Sequence, residues 1–149
     1  MEGGEHLVTI SFCSRASRLR LLRSVMRDAA DLAGLDVPQT EAMVLAVNEA
    51  CMNIIQHAYG MDADGKIDVS VLQEQDALVV RVRDYADTVD VEQVRSRELD
   101  DIRPGGLGVY LINSLMDECG FLEPPDDGGN VFQMKLFTRE QGEGNDISG

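Results

Sequence analysis

Asn48-Glu49-Ala50-Cys51-Met52-Asn53-Ile54-Ile55-Gln56-His57-Ala58-Tyr59 is the stretch on which the reading of this chain turns. It predicts the second half of a helix over Pro38–Tyr59, with Thr40 as a cap near its start. Val44, Val47, Cys51, Ile54, Ile55 and Ala58 recur at helical spacing and make a core stripe. Glu49, Asn53 and His57 stack on another side, because residues four apart share a helix face. Ala46 and Ala50 lie beside them, and small side chains there would leave room for a ligand.

Upstream, Leu7–Phe12 alternates apolar and polar residues and reads as an edge strand. Ala16–Leu35 reads as an amphipathic helix with Leu19, Leu22, Met26, Ala29 and Ala33 inward and Gly34 as its stop. Arg20, Arg23 and Arg27 form a cationic face on that helix, suited to an acidic protein partner. Downstream, Gly60–Gly65 is a turn, and Lys66–Gln73 and Ala77–Asp84 read as an antiparallel hairpin. Tyr85–Leu107 is polar and long, which predicts a functional lid. A helix over Gly108–Glu118 and a strand over Val131–Phe137 come next, the strand preceded by a turn at Pro124–Gly129. The order implies one α+β domain of helices packed on a sheet, spanning 1–149 with residues 139–149 as a disordered tail.

The formal net charge of −14 argues against a nucleic-acid partner, since a phosphate backbone would be repelled. Positive charge is local: five of the thirteen Lys and Arg residues fall between Arg15 and Arg27. No apolar run is long enough for a bilayer, so no membrane partner is expected. Cys13, Cys51 and Cys119 have neither disulfide-framework nor zinc spacing, and read as buried thiols of a cytoplasmic protein.

Three segments carry chemistry. Glu49 can accept a proton from a hydroxyl nucleophile, and the Asn53 amide oxygen is a hard ligand for Mg²⁺. Asp84, at a strand end, can accept a hydrogen bond from the exocyclic amine of adenine. In Pro104-Gly105-Gly106-Leu107-Gly108 the glycines permit close backbone approach, and the following helix offers free N–H groups to phosphate. The segment is neither a P-loop nor a Rossmann fingerprint. His57 has no partner at a telling spacing and reads as structural.

With these segments in place, the chain resembles the GHKL (Bergerat-type) ATPases, and within them the RsbW-like anti-sigma-factor serine kinases. Asn48-Glu49-Ala50 through Asn53 to His57-Ala58-Tyr59 is similar to the N-box. Pro104 to Ile112 with Met116-Asp117-Glu118 is similar to the second glycine box and its helix.

The resemblance implies a two-layer α/β sandwich, helices on one face of a mixed, mostly antiparallel sheet. It also implies ATP and Mg²⁺ as cofactors, with Glu49 as general base and Asn53 as metal ligand. Asp84 and Ala86 would meet the adenine, and Arg103, Gly105, Gly106, Leu107, Gly108 and Val109 the phosphates. Arg95 and Arg97 are further lid arginines. The implied partners are a sigma factor, a STAS-domain antagonist phosphorylated on serine, and a second copy of the chain. One departure stands out: the family's first glycine box reads Asp-x-Gly, and here Ala86 replaces the glycine. If that position needs positive φ, alanine costs about 1 kcal/mol there. A scaffold that sequesters a regulator without chemistry is the alternative that Ala86 raises.

Overall fold

The computed structural model of the 149-residue chain describes residues 4–61, 63–86 and 104–139, without the side chains of 104–109. Five strands, β1 (Glu5–Cys13), β2 (Lys66–Glu74), β3 (Ala77–Asp84), β4 (Glu118–Phe121) and β5 (Asn130–Phe137), form one sheet in the order β1-β2-β3-β5-β4. Every neighbouring pair is antiparallel, so the mixed sheet expected by resemblance is replaced by a wholly antiparallel one among the described residues. β1 lies at an edge, as its short alternating pattern predicted. The hairpin joining β2 and β3 closes with Glu74 opposite Ala77.

Among the described residues three α-helices cover one face: α1 (Leu19–Leu32), α2 (Val37–Asn53) and α3 (Pro104–Leu115). α2 packs between α1 and α3. Inward strand residues Ile67, Val69, Val71, Leu78, Val80, Val82, Met134 and Leu136 meet Leu22, Met26, Met43 and Val47 from the helices in one core. A fully buried side chain of this size contributes about 1.5–3 kcal/mol relative to exposure. The outer sheet face is largely polar: Arg81 Nε donates to Gln133 at 2.8 Å, and Lys135 pairs with Glu74 at 3.0 Å.

Several boundaries shift for local reasons. A 3₁₀ turn at Ala16–Arg18 precedes α1, which ends two residues before Gly34. Gly34 holds φ +91°, and Leu35 N–H returns to Ala30 O at 3.0 Å, a left-handed helix stop. α2 is capped by Asp36, not Thr40: Gln39 N–H donates to Asp36 Oδ1 at 2.8 Å, and the Gln39 side chain accepts in return from Asp36 N–H. Because α2 is flanked on both sides, its buried surface exceeds one stripe. Ala46 and Ala50 are buried in the core. Ala58, expected in the core, is exposed beyond the last regular turn.

At its C-terminal end α2 widens into a π-turn over Ile54–Ala58, closed by Tyr59 N–H to Ile54 O at 2.9 Å. α3 starts at Pro104, so Gly105, Gly106 and Gly108 form its first turns and do not precede it as a loop. Proline suits the first helical position, having no N–H to leave unpaired. α3 also stops earlier than expected, and Glu118 opens the short strand β4. Most of the expected lid, with Arg95, Arg97 and Arg103, and the expected tail beyond Arg139 lie outside the described residues.

The turn into β5 is pinned by Gly129. Its φ is +88°, and an added Cβ would lie 2.2 Å from the Asp84 carbonyl oxygen. Gly128 also has positive φ, +95°, but an added Cβ there meets open space. Gly129→Ala should therefore lose about 2–4 kcal/mol in urea unfolding, against about 1 kcal/mol for Gly128→Ala. Equal losses would show that the contact with Asp84 is slack.

Candidate functional site

The hairpin register places Asp84 at the end of β3, opposite Ile67 of β2 and Asn130 of β5. Leu78, Val80, Val82 and Asp84 alternate onto the inner face, so the carboxylate points towards the helices. It is 4% exposed. Its Oδ1 accepts from Ala86 N–H at 2.9 Å and from Asn130 Nδ2 at 3.0 Å. Oδ2 keeps its accepting capacity. Burial pushes the Asp84 carboxyl above its ordinary pKa, against the lowering by Asn130, Ala86 N–H and Arg83. An inward acceptor beneath the helical layer is the chemistry required to read an amine on a planar base.

Ala86 does not adopt positive φ: among the described residues Met61 is the one non-glycine residue that does. The backbone strain that alanine would bring to an Asp-x-Gly turn is absent. The Asx turn closed by Asp84 Oδ1 and Ala86 N–H takes an L-residue without cost.

Glu49 and Asn53 are half-buried near the C-terminal end of α2, and neither makes a hydrogen bond or ion pair among the described residues. Two half-buried polar groups left free on one face suit a polar ligand better than a solvated surface. No group of three His, Cys, Asp or Glu residues among those described could hold a metal. Mg²⁺ does not require one, since it is commonly bound by one or two protein oxygens plus ligand phosphates. The donor set at Asn53 thus fits Mg²⁺ arriving with a nucleotide. His57 is exposed on the π-turn.

The cationic face divides. Arg23 Nη1 donates to Asn48 Oδ1 at 2.9 Å, and Arg27 pairs with Glu41 at 3.3 Å, both tying α1 to α2. Arg20 is exposed and makes no ion pair among the described residues. The cysteines also divide: Cys51 is buried, Cys119 half-buried and Cys13 exposed, so only one of three is the inert core thiol expected. Burial pushes the Cys51 thiol far up.

Two residues at the site had no role assigned from the sequence. Asn130 is in phase with inward Phe132, Met134 and Leu136, and that alternation was the available signal. Tyr59 donates its hydroxyl to Lys66 O at 2.7 Å and accepts from Tyr85 N–H at 2.7 Å. Nothing in its spacing announced that bridge.

The chain matches the histidine kinase-like ATPase domain over residues 12–136. It belongs to that family. Serine-protein kinase RsbW of Bacillus cereus (strain AH187) is 34% identical over 145 residues, covering 91% of this chain and 89% of the relative. Serine-protein kinase RsbW of Bacillus anthracis (strain A0248) is 33% identical over the same shares. Within the histidine kinase-like ATPases, the chain therefore lies in the RsbW-like branch. Among solved structures, the SiaB–SiaC complex of Pseudomonas aeruginosa matches with a TM-score of 0.65 at 14% identity, covering 90% of each chain. The RsbU and RsbW domains of a Mycobacterium tuberculosis protein match with a TM-score of 0.60 at 15% identity, over 89% of this chain and 33% of that one. These two likenesses carry the fold: helices over an open antiparallel sheet. Among the described residues, no helix of this family member is long and apolar enough to cross a membrane.

Proposed function

We propose that this histidine kinase-like ATPase domain is an anti-sigma factor and serine-protein kinase of a partner-switching system. It binds Mg-ATP and phosphorylates a serine on a small STAS-domain antagonist. The observation that carries this reading is the Glu49–Asn53 pair on α2, without a hydrogen bond or ion pair among the described residues, on the helix packed against the one that carries Gly105, Gly106 and Gly108. The RsbW relatives, named as serine-protein kinases, support it.

Asp84 Oδ2 accepts from the adenine amine, which selects adenine over guanine. Glu49 takes the hydroxyl proton of the attacking serine. The amide oxygen of Asn53 holds Mg²⁺, which when bound neutralises charge on the phosphate oxygens. The first turn of α3 offers its free N–H groups to phosphate, and its glycines let the backbone come close. Arg103, just ahead of α3, is the cation proposed to neutralise the transferred group. Once phosphorylated, the antagonist is released; unphosphorylated, it captures the kinase and frees the sigma factor. The working unit is a homodimer. The scaffold reading draws no backbone-strain argument from Ala86, which carries no positive φ.

The direct test is incubation with ATP, Mg²⁺ and a purified STAS protein, read by intact mass. A gain of one phosphate on the STAS protein is expected; no gain under any nucleotide would overturn the reading.

Arg20 is the partner contact best separated from the fold, since Arg23 and Arg27 also join α1 to α2. Arg20→Glu should weaken capture of the antagonist or sigma factor by about tenfold or more, leaving ATP affinity and the melting temperature unchanged. Surface plasmon resonance on the immobilised partner reads the difference. Unchanged capture would place the interface elsewhere.

A further inference from the structure

We infer that Tyr59 is a positioning residue for base recognition: its hydroxyl fixes the peptide unit after Asp84 and so aims the carboxylate at the adenine. The inference rests on the nucleotide site proposed above and names a residue that the reading of that site does not use.

The Asp84–Tyr85 peptide is held from both sides. Its N–H donates to the Tyr59 hydroxyl at 2.7 Å. Its carbonyl oxygen lies so close to Gly129 that a Cβ there would approach to 2.2 Å. With the plane of that peptide set, Ala86 N–H and Asn130 Nδ2 both reach Asp84 Oδ1, and Oδ2 is left to face a ligand. Tyr59 is itself over-determined. Its hydroxyl also donates to Lys66 O at 2.7 Å, at the start of β2. Its ring lies against Gly65, where an added Cβ would come within 2.5 Å of a ring carbon. Any side chain at position 65 would displace the ring.

The π-turn supplies the reach. In a π-turn one extra residue enters the last turn, so the residues beyond it are rotated by about 100° relative to a regular α-helix. Here the widened turn ends at Tyr59, whose N–H returns to Ile54 O. The ring is thereby carried to the ends of β2 and β3. One hydroxyl then links the helix that bears Glu49 and Asn53 to the strand end that bears Asp84. Tyr85 secures the outer side, with its ring 4.5 Å from the Arg83 guanidinium and its hydroxyl on Asp68.

Tyr59→Phe removes both hydrogen bonds and keeps the ring against Gly65. Calorimetry of the full chain with ATP and with GTP, each with Mg²⁺, reads the consequence. ATP affinity is expected to fall about tenfold while GTP affinity stays within about twofold, so the adenine preference narrows. Tyr85 N–H should exchange with solvent at least about tenfold faster, since its protecting partner is gone. Adenine preference and Tyr85 exchange equal to those of the unaltered chain would overturn the inference and leave the nucleotide site standing. Failure of the unaltered chain to prefer ATP over GTP would overturn the Asp84 reading, and this inference with it.

Discussion

Glu49→Ala is expected to slow phosphoryl transfer to the proposed STAS partner by about 10² to 10⁴ and to leave nucleotide binding intact. The side chain is half-buried and makes no hydrogen bond or ion pair among the described residues, so its removal breaks none of those. Stability should move by no more than about 0.5 kcal/mol, as for a surface substitution. Loss of a positioned general base lowers the rate by about 10² to 10⁴. ATP affinity should stay level or rise, because deleting a carboxylate near the phosphates removes like-charge repulsion. Glu49→Gln, which keeps the shape and drops the basicity, should behave alike. Single-turnover transfer followed by intact mass, with calorimetry on the same preparation, separates the two effects. A rate within about threefold of the unaltered chain would remove Glu49 from the chemistry, since a base worth at least about 10² cannot be lost so cheaply.

Asn53→Ala makes the contrast that assigns the pair. If the amide oxygen holds Mg²⁺, its loss weakens binding and transfer together, where Glu49→Ala separates them. The two residues share one helix face and neither has a hydrogen-bond or ion-pair partner among the described residues, so a general disturbance of α2 would affect both variants in the same way.

Much of the fold was legible because periodicity reports burial directly. The hairpin came out within a residue, since Ile67, Val69 and Val71 alternate against Leu78, Val80 and Val82 without interruption. The helix face with Glu49 and Asn53 also emerged, because spacing alone fixes which residues share a face. Three features were not legible, each for its own physical reason. Ala46 and Ala50 look exposed beside the polar face in one helix, but α2 has helices on both sides and the two alanines are buried, and tertiary packing has no signature in α2 itself. The glycines ahead of Val109 read as a loop by propensity, at about 1 kcal/mol each against a helix, yet Pro104 starts the helix before them. Tyr59 was invisible because a π-turn sets its bearing, and no simple residue pattern encodes that turn. Ala86 shows the reverse case, in which a departure from a family motif carries less than its pattern suggests. The turn it sits in closes on the Asp84 side chain, and that geometry does not call for glycine.

Asp84→Asn should stabilise the fold and weaken the nucleotide. Burial raises the folded-state pKa of Asp84 above its unfolded value, which means that the ionised form is disfavoured by folding. A group raised in this way favours the folded state below its unfolded pKa and loses that contribution as pH rises through the folded one. At neutral pH the buried carboxylate is therefore a burden, and a neutral amide of the same shape relieves it. The amide oxygen of the substituted side chain would still accept from Ala86 N–H and Asn130 Nδ2, so the turn survives. The melting temperature should rise at pH 7. The gain should shrink as pH falls through the raised pKa and vanish below the ordinary carboxylate range, where Asp84 is itself protonated in both states. ATP affinity should meanwhile drop about tenfold or more, because an amide presents one acceptor where the carboxylate offers a charge and a second oxygen. A site that keeps a destabilising charge does so for a ligand, and stability traded against binding is the mark of such a residue. Thermal melts from acid to neutral pH, paired with ATP calorimetry, test both halves. A variant less stable than the unaltered chain at pH 7, or one that binds ATP equally well, would remove Asp84 from the role of adenine acceptor held ready by burial.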